Sequence, residues 1–216
     1  YDGLEDWKKA SEIEELKDFA LNQAPLTKTE IVLLRLKKSL KPDLALIYSD
    51  VPATAAGVYT KNSIKAAPLL LTKSHVKKGQ LQAIITNSGN ANSCTGEIGA
   101  KHAKQTVTEL ASGLSIDKNL IAVSSTGVIG VTLPIEKVLA GITPLISELK
   151  YANGEAAARA ILTTDTFIKQ EAIEFKLPSG KTVKIGGMAK GSGMIHPNMA
   201  TMLAYITSDI NISHEA

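Results

Sequence analysis

Apolar residues along this chain recur in two rhythms, and the two mark different elements. At the start, Ile13, Leu16 and Phe19 fall on one face of a helical wheel with acids opposite, and Ser11 with Glu14 forms a capping box. A helix is therefore predicted over residues 1–22, ended by Pro25. Residues 29–38 fit helix or strand, and helix is favoured. Short apolar runs bounded by turn residues then predict buried strands at Leu44–Ser49, Gln82–Thr86 and Leu120–Ser124. A short strand is expected at Val58–Thr60, followed by another at Ala67–Thr72. Helical spacing returns at Gly99–Leu114, with Val107, Leu110 and Ala111 on one side. It returns again over Pro134–Lys150, in two pieces interrupted at Gly141–Pro144, and in the alanine-rich stretch Gly154–Leu162. Glu171–Leu177 and Lys181–Ile185 flank Pro178-Ser179-Gly180, a hairpin signal. A glycine loop follows, and then an apolar run, Met202–Ile206, that reads as an incipient strand. Strands and helices alternate without strict βαβ regularity. This favours a mixed α/β layered sandwich over a doubly wound, Rossmann-type sheet.

The 216 residues suffice for one large domain or two small ones. With 44% apolar, 21% charged and only 4% aromatic residues, the core is expected to be aliphatic and alanine-based. Net charge is +3, too little to argue for nucleic acid. The distribution is uneven: residues 1–20 hold seven acids against three lysines, so the remainder is more positive and favours anionic substrates. A single cysteine, Cys94, excludes an intrachain disulfide framework and points to a reducing compartment. No apolar run is long enough to span a bilayer, and no secretory signal pattern is visible at the start. Since Ala216 falls just after an apparent strand, the domain is expected to continue beyond it.

Three segments concentrate small polar residues and glycine. Asn87-Ser88-Gly89-Asn90-Ala91-Asn92-Ser93-Cys94-Thr95-Gly96 is a loop whose asparagines suit either polar recognition or loop scaffolding. Ser124-Ser125-Thr126-Gly127 follows a strand and can present hydroxyls and amides together, as an oxyanion hole does, or can be a plain turn. Gly186–Gly193 holds four glycines around Lys190 and leads through His196, Pro197 and Asn198 to Ala200 and Thr201. A threonine after a small residue and before a strand fits an N-terminal nucleophile, whose own α-amine serves as base once the preceding bond is cut. The plain alternative is a glycine-rich surface loop.

Other motifs are excluded. The lysine precedes Gly191, so the loop is neither a Walker loop nor a dinucleotide fingerprint. The four histidines, His75, His102, His196 and His214, lack metal-ligand spacing, so no metal site is predicted. Gly191-Ser192-Gly193 lacks the strand-to-helix setting of a serine hydrolase elbow.

From Lys41 onward the sequence resembles the bifunctional glutamate/ornithine N-acetyltransferases of arginine biosynthesis. The resemblance is carried by Lys41–Ile47, Pro52–Val58, Asn87–Asn92 with Cys94-Thr95-Gly96, Ser124–Gly130, Thr163-Thr164-Asp165-Thr166 and the long run Gly187–Leu203. It implies an autoprocessing, Ntn-like fold and a precursor that cuts itself between Ala200 and Thr201. It further implies that Thr201 is the nucleophile of a ping-pong transfer of acetyl from N-acetylornithine to glutamate. Thr126 and Gly127 are implied to stabilise the oxyanion, and Thr164, Lys190 and Thr201 to contact substrate. No cofactor is implied, although acetyl-CoA can serve as an acetyl donor. The α- and β-chains of one precursor are implied to assemble as an α2β2-like oligomer, in the cytoplasm or, in a eukaryote, the mitochondrial matrix, with no nucleic-acid or membrane partner.

On this reading residues 1–40 are an atypical, mostly helical segment, residues 41–200 the α-chain domain, and residues 201–216 the start of the β-chain. Residues 1–36 lack the family's usual opening, and Leu40 stands where glycine is expected. The family's β-chain also runs well past residue 216. Two other readings stay open: an inactive or regulatory fragment that keeps the scaffold, and an amidohydrolase with an N-terminal threonine.

Overall fold

A computed structural model describes residues 27–32, 41–151, 154–191 and 202–213. Among these residues, seven strands form two sheets. In the first, β1 (Thr27–Val32) pairs antiparallel with β2 (Leu44–Thr54), β2 pairs antiparallel with β3 (Gln80–Asn87), and β3 pairs parallel with β4 (Ile121–Ser125). In the second, β5 (Lys169–Lys176), β6 (Thr182–Lys190) and β7 (Leu203–Ser208) form an antiparallel meander. The helices are α1 (Ala67–Val76), α2 (Gly96–Leu114), α3 (Ile135–Ser147) and α4 (Gly154–Ala160).

The period-two alternation of β2 and β3 explains the layering. Leu44, Leu46, Ala83 and Ile85 point to one face of the first sheet, where Ala103, Val107 and Leu110 of α2 and Val138, Ile142 and Leu145 of α3 close over them. Ala45, Ile47 and Ile84 point to the other face. There they meet Ala157, Ala158 and Ala160 of α4, then Ile161, Met188 of β6 and Tyr205 of β7. Alanines on α4 let that helix lie close, and the second sheet packs beside it. The result is the mixed, layered α/β sandwich expected from the sequence.

Several local expectations change. Residues 27–32 form an edge strand, whereas helix was favoured for 29–38: the register Thr27↔Ser49 to Val32↔Leu44 gives that backbone a ladder to join. The segment 1–40 is therefore not wholly helical where it is described. The helix predicted for residues 1–22 lies outside the described residues. β2 runs on to Thr54 past a register shift between Tyr48 and Ala53. Val58–Thr60 forms no strand, and Ala67–Thr72 belongs to a helix. Pro68 sits in its first turn, where a missing N–H costs nothing, and Leu69-Leu70-Leu71 carries no β-branching to resist helix.

Within Pro134–Lys150 the chain forms one helix, Ile135–Ser147, rather than two pieces. Pro144 lies inside α3, but Ile135, Val138, Ile142 and Leu145 recur at helical spacing and are buried. That continuous apolar face offsets the roughly 3 kcal/mol cost of an interior proline. Finally, Gly186–Lys190 is the end of β6 and not a loop. The chain leaves the sheet at Gly191, whose φ of +122° suits glycine.

Candidate functional site

Because β3 and β4 are parallel, their C-terminal ends lie side by side, and both glycine- and asparagine-rich loops start from the same edge of the sheet. The two loops are fastened to each other. The Thr126 amide donates to the Asn87 carbonyl (2.9 Å), the Ala91 amide to Val128 (2.9 Å) and the Gly130 amide to Ser93 (2.9 Å).

The asparagines do the scaffolding. Asn87 Oδ1 accepts from the amides of Gly89 (3.3 Å) and Asn90 (3.0 Å), while its Nδ2 donates to Ser125 Oγ (2.7 Å). Asn90 Oδ1 accepts from the Asn92 amide, and Asn90 Nδ2 donates to the Val131 carbonyl. Asn92, with a left-handed φ of 45°, donates to the Gly99 carbonyl and accepts from Thr95 Oγ1, tying the loop to the first turn of α2. All three asparagines are buried. Of the two roles the sequence left open for this loop, these bonds select scaffolding.

Gly127 shows why the turn after β4 is more than a generic bend. Its φ is +131°, and a Cβ there would lie 2.7 Å from the Gly89 carbonyl carbon and 2.8 Å from the Asn90 nitrogen. Only glycine lets the two loops approach so closely.

Lys190, at the end of β6, reaches this turn from the other sheet. Its ammonium donates to Thr126 Oγ1 at 2.5 Å, and the residue is 4% exposed. An ammonium has only hydrogens to give. Thr126 Oγ1 therefore accepts, and the hydroxyl's own hydrogen is left to point elsewhere. The Thr126 amide is already used on Asn87, so the hydroxyl is what this residue offers a ligand.

A buried charge needs compensation. Burial lowers the Lys190 pKa from the ordinary lysine value; the Asp165 carboxylate pulls it back up and Lys169 pushes it further down. Asp165 itself is held below the usual carboxylate range. Burial raises it, but the hydrogen bonds from Lys169 and from the Gly191 amide, with the charges of Lys169 and Lys190, outweigh burial. Its side chain is 1% exposed, accepts from the Gly191 amide through both oxygens (3.1 and 3.2 Å), and pairs with Lys169.

A second tie between the sheets lies beneath the site. The hydroxyls of Thr86 on β3 and Tyr205 on β7 share a hydrogen bond of 2.8 Å, and burial raises the Tyr205 pKa.

The structure thus brings Thr126, Gly127 and Lys190 together. Thr164 is solvent-exposed, one residue before Asp165. Ala200 and Thr201 lie outside the described residues, as does His196. β7 begins two residues after Thr201, and its first residue, Leu203, pairs with Lys190. Asp165 and Lys169 were not singled out as site residues. The run Thr163–Thr166 carries part of the family resemblance, but the backbone amide that its aspartate holds lies 26 residues away, at Gly191. No cluster of three or more metal-ligating side chains occurs among the described residues, and no helix there is long and apolar enough to cross a membrane.

Residues 28–216 match the ArgJ family. The chain belongs to that family. The match reaches thirteen residues further toward the start than the resemblance read from Lys41 and takes in β1 from its second residue. Among curated relatives of the ArgJ family, the arginine biosynthesis bifunctional protein ArgJ of Symbiobacterium thermophilum is 52% identical over 176 residues, which is 82% of this chain and 44% of that protein. The Staphylococcus aureus protein of the same name is 53% identical over 174 residues, 80% of this chain and 42% of that protein. The chain therefore spans a little under half the length of these relatives. Two crystal structures share the fold. Arginine biosynthesis bifunctional protein ArgJ from Bacillus halodurans superposes with a TM-score of 0.79 at 40% identity, covering 86% of this chain and 96% of that one. Ornithine acetyltransferase of Mycobacterium tuberculosis, complexed with ornithine, gives 0.75 at 39% identity, with 84% and 96% covered.

Proposed function

We propose that this ArgJ chain is the acetyl-transferring part of an enzyme that cuts itself between Ala200 and Thr201 and carries acetyl from N-acetylornithine to glutamate. The observation that carries the reading is the Lys190 bond to Thr126 Oγ1, next to Gly127 and at the end of the strand that precedes the cut segment. Lengths support the two-chain organisation: the chain matches nearly all of each solved ArgJ chain but under half of the curated full-length proteins. The Mycobacterium tuberculosis structure, an ornithine acetyltransferase complexed with ornithine, supports the substrate class.

In the proposed cycle the Thr201 hydroxyl attacks the acetyl carbonyl of N-acetylornithine, and the freed α-amine of Thr201 takes the hydroxyl proton. A tetrahedral oxyanion forms. The Thr126 hydroxyl hydrogen, turned outward because Lys190 occupies its lone pair, and the Gly127 amide stabilise that charge. The C–N bond breaks, ornithine leaves with the proton, and acetyl stays as an ester on Thr201. The glutamate amine then attacks the ester, and N-acetylglutamate leaves as Thr201 regains its proton. Thr164 hydrogen-bonds the substrate backbone. Lys190 and the net-positive domain attract the substrate carboxylate. The cycle balances without a cofactor, and acetyl-CoA enters it as an alternative acetyl donor. The α- and β-chains remain together as an α2β2-like oligomer.

Mass spectrometry of the full-length protein tests this. A fragment beginning Thr-Met-Leu-Ala-Tyr is expected, with acetyl on Thr201 after incubation with N-acetylornithine alone. Thr201→Ala is expected to abolish both cutting and transfer. Uncut protein with full transfer activity, or acetyl on another residue, overturns the proposal. Release of acetate at the same rate with and without glutamate assigns hydrolysis instead.

A further inference from the structure

We propose that Asp165 is a positioning residue for acetyl transfer: by gripping the Gly191 amide, it fixes the end of β6 so that the Lys190 ammonium stays on Thr126 Oγ1 and the Thr126 hydrogen faces the oxyanion. This rests on the reading of Thr126 as an oxyanion donor and assigns a further residue to that machinery.

The geometry is direct. Gly191 follows Lys190 in sequence, and its positive φ marks where the chain turns out of β6. Such a turn leaves the strand end without a continuing ladder. Asp165 supplies the missing acceptor with both oxygens, and it does so from a side chain that is almost wholly buried. A buried carboxylate is costly unless fully partnered, and Asp165 is partnered on two sides, by the amide and by Lys169. Lys169 stands on β5, whose register opposes it to Ala189, next to Lys190. The carboxylate thus ties the α4–β5 turn, β5 and the residue just past the end of β6 into one unit.

The charge of Asp165 matters as well as its shape. Among the described residues, Asp165 and Lys169 are the charged groups that act on Lys190, the first favouring its ammonium and the second opposing it. If Lys190 loses its proton, its nitrogen can accept from the Thr126 hydroxyl. The hydrogen then turns toward lysine and away from the oxyanion.

The test uses the full-length protein and Asp165→Asn, which keeps the size and removes the charge. Its kcat for acetyl transfer is expected to fall, by up to about 10²-fold if the donors shift by about 1 Å. The alkaline limb of the pH profile should move to lower pH, and amide hydrogen exchange at Gly191 should accelerate. Lys169→Met leaves Asp165 on the Gly191 amide and covers the case in which Asp165→Asn does not fold. Removing the opposing cation is expected to move the same limb to higher pH. A native kcat, pH profile and Gly191 protection in Asp165→Asn, or an unmoved limb in Lys169→Met, overturns the proposal. Failure of the underlying reading looks different: the unmutated protein transfers no acetyl, while Gly191 still loses protection in Asp165→Asn.

Discussion

The ammonium of Lys190 and the hydroxyl of Thr126 meet at 2.5 Å across 64 residues of sequence, and their bond joins the two sheets of the fold at one point. Lysine gives and threonine receives, so the direction of the threonine hydrogen is decided by a residue on the opposite sheet. Lys190→Met keeps much of the side-chain volume and removes the donor. It is expected to lower kcat by about 10²–10³-fold, the effect of losing one oxyanion donor, with a smaller change in KM for N-acetylornithine. Steady-state kinetics against both substrates checks this. A change confined to KM would assign Lys190 to substrate binding alone.

Gly127→Ala places a methyl group within 2.7 Å of the Gly89 backbone at a φ that L-residues avoid. The expected cost is about 1–3 kcal/mol of stability from overpacking and strain. Transfer activity should fall by more than the folded fraction does, because the loops must separate to make room. Thermal melts measured beside kcat separate the two effects.

Asn92→Ala removes the tie between the asparagine loop and the first turn of α2. Leaving the buried Gly99 carbonyl and the Thr95 hydroxyl without that partner should cost about 1–3 kcal/mol. KM for glutamate and N-acetylornithine should stay near native in the folded fraction. A selective rise in KM would return the loop to a role in recognition.

Acid stability should depend on Asp165. Its folded-state pKa lies below that of an unfolded aspartate, so the unfolded chain binds the proton more readily. The stabilisation is present above the ordinary carboxylate range and is lost as pH falls through the folded value. Denaturant melts across the acid range should therefore show a drop in the native protein that is shallower in Asp165→Asn.

Much of the fold was legible because its strands are short apolar runs between turn residues, as at Leu44–Ser49 and Gln82–Thr86. The helix at Gly99–Leu114 announces itself through Val107, Leu110 and Ala111. The failures have local causes. Leu69-Leu70-Leu71 carries no periodicity that separates strand from helix, and Pro68 in the first turn was the unused clue. Residues 27–32 join a sheet through a partner that local pattern does not contain. Pro144 and Gly141 read as breaks because the buried face of α3 outweighs them only in three dimensions. At the site, Thr126, Gly127 and Lys190 were marked by composition and by the family resemblance. Asp165 was not, since its worth comes from a backbone amide on another strand.

The parallel pairing of β3 with β4 has a consequence for how the protein matures. A parallel neighbour cannot form by a simple hairpin; the whole α2 crossover must be in place first. Lys190 and Tyr205 then have to find Thr126 and Thr86, 64 and 119 residues back. Contacts this distant in sequence form late. Under the proposed self-cutting, a half-made chain emerging from the ribosome would hold no assembled scissors, and severing the Ala200–Thr201 link would certify that both sheets had closed.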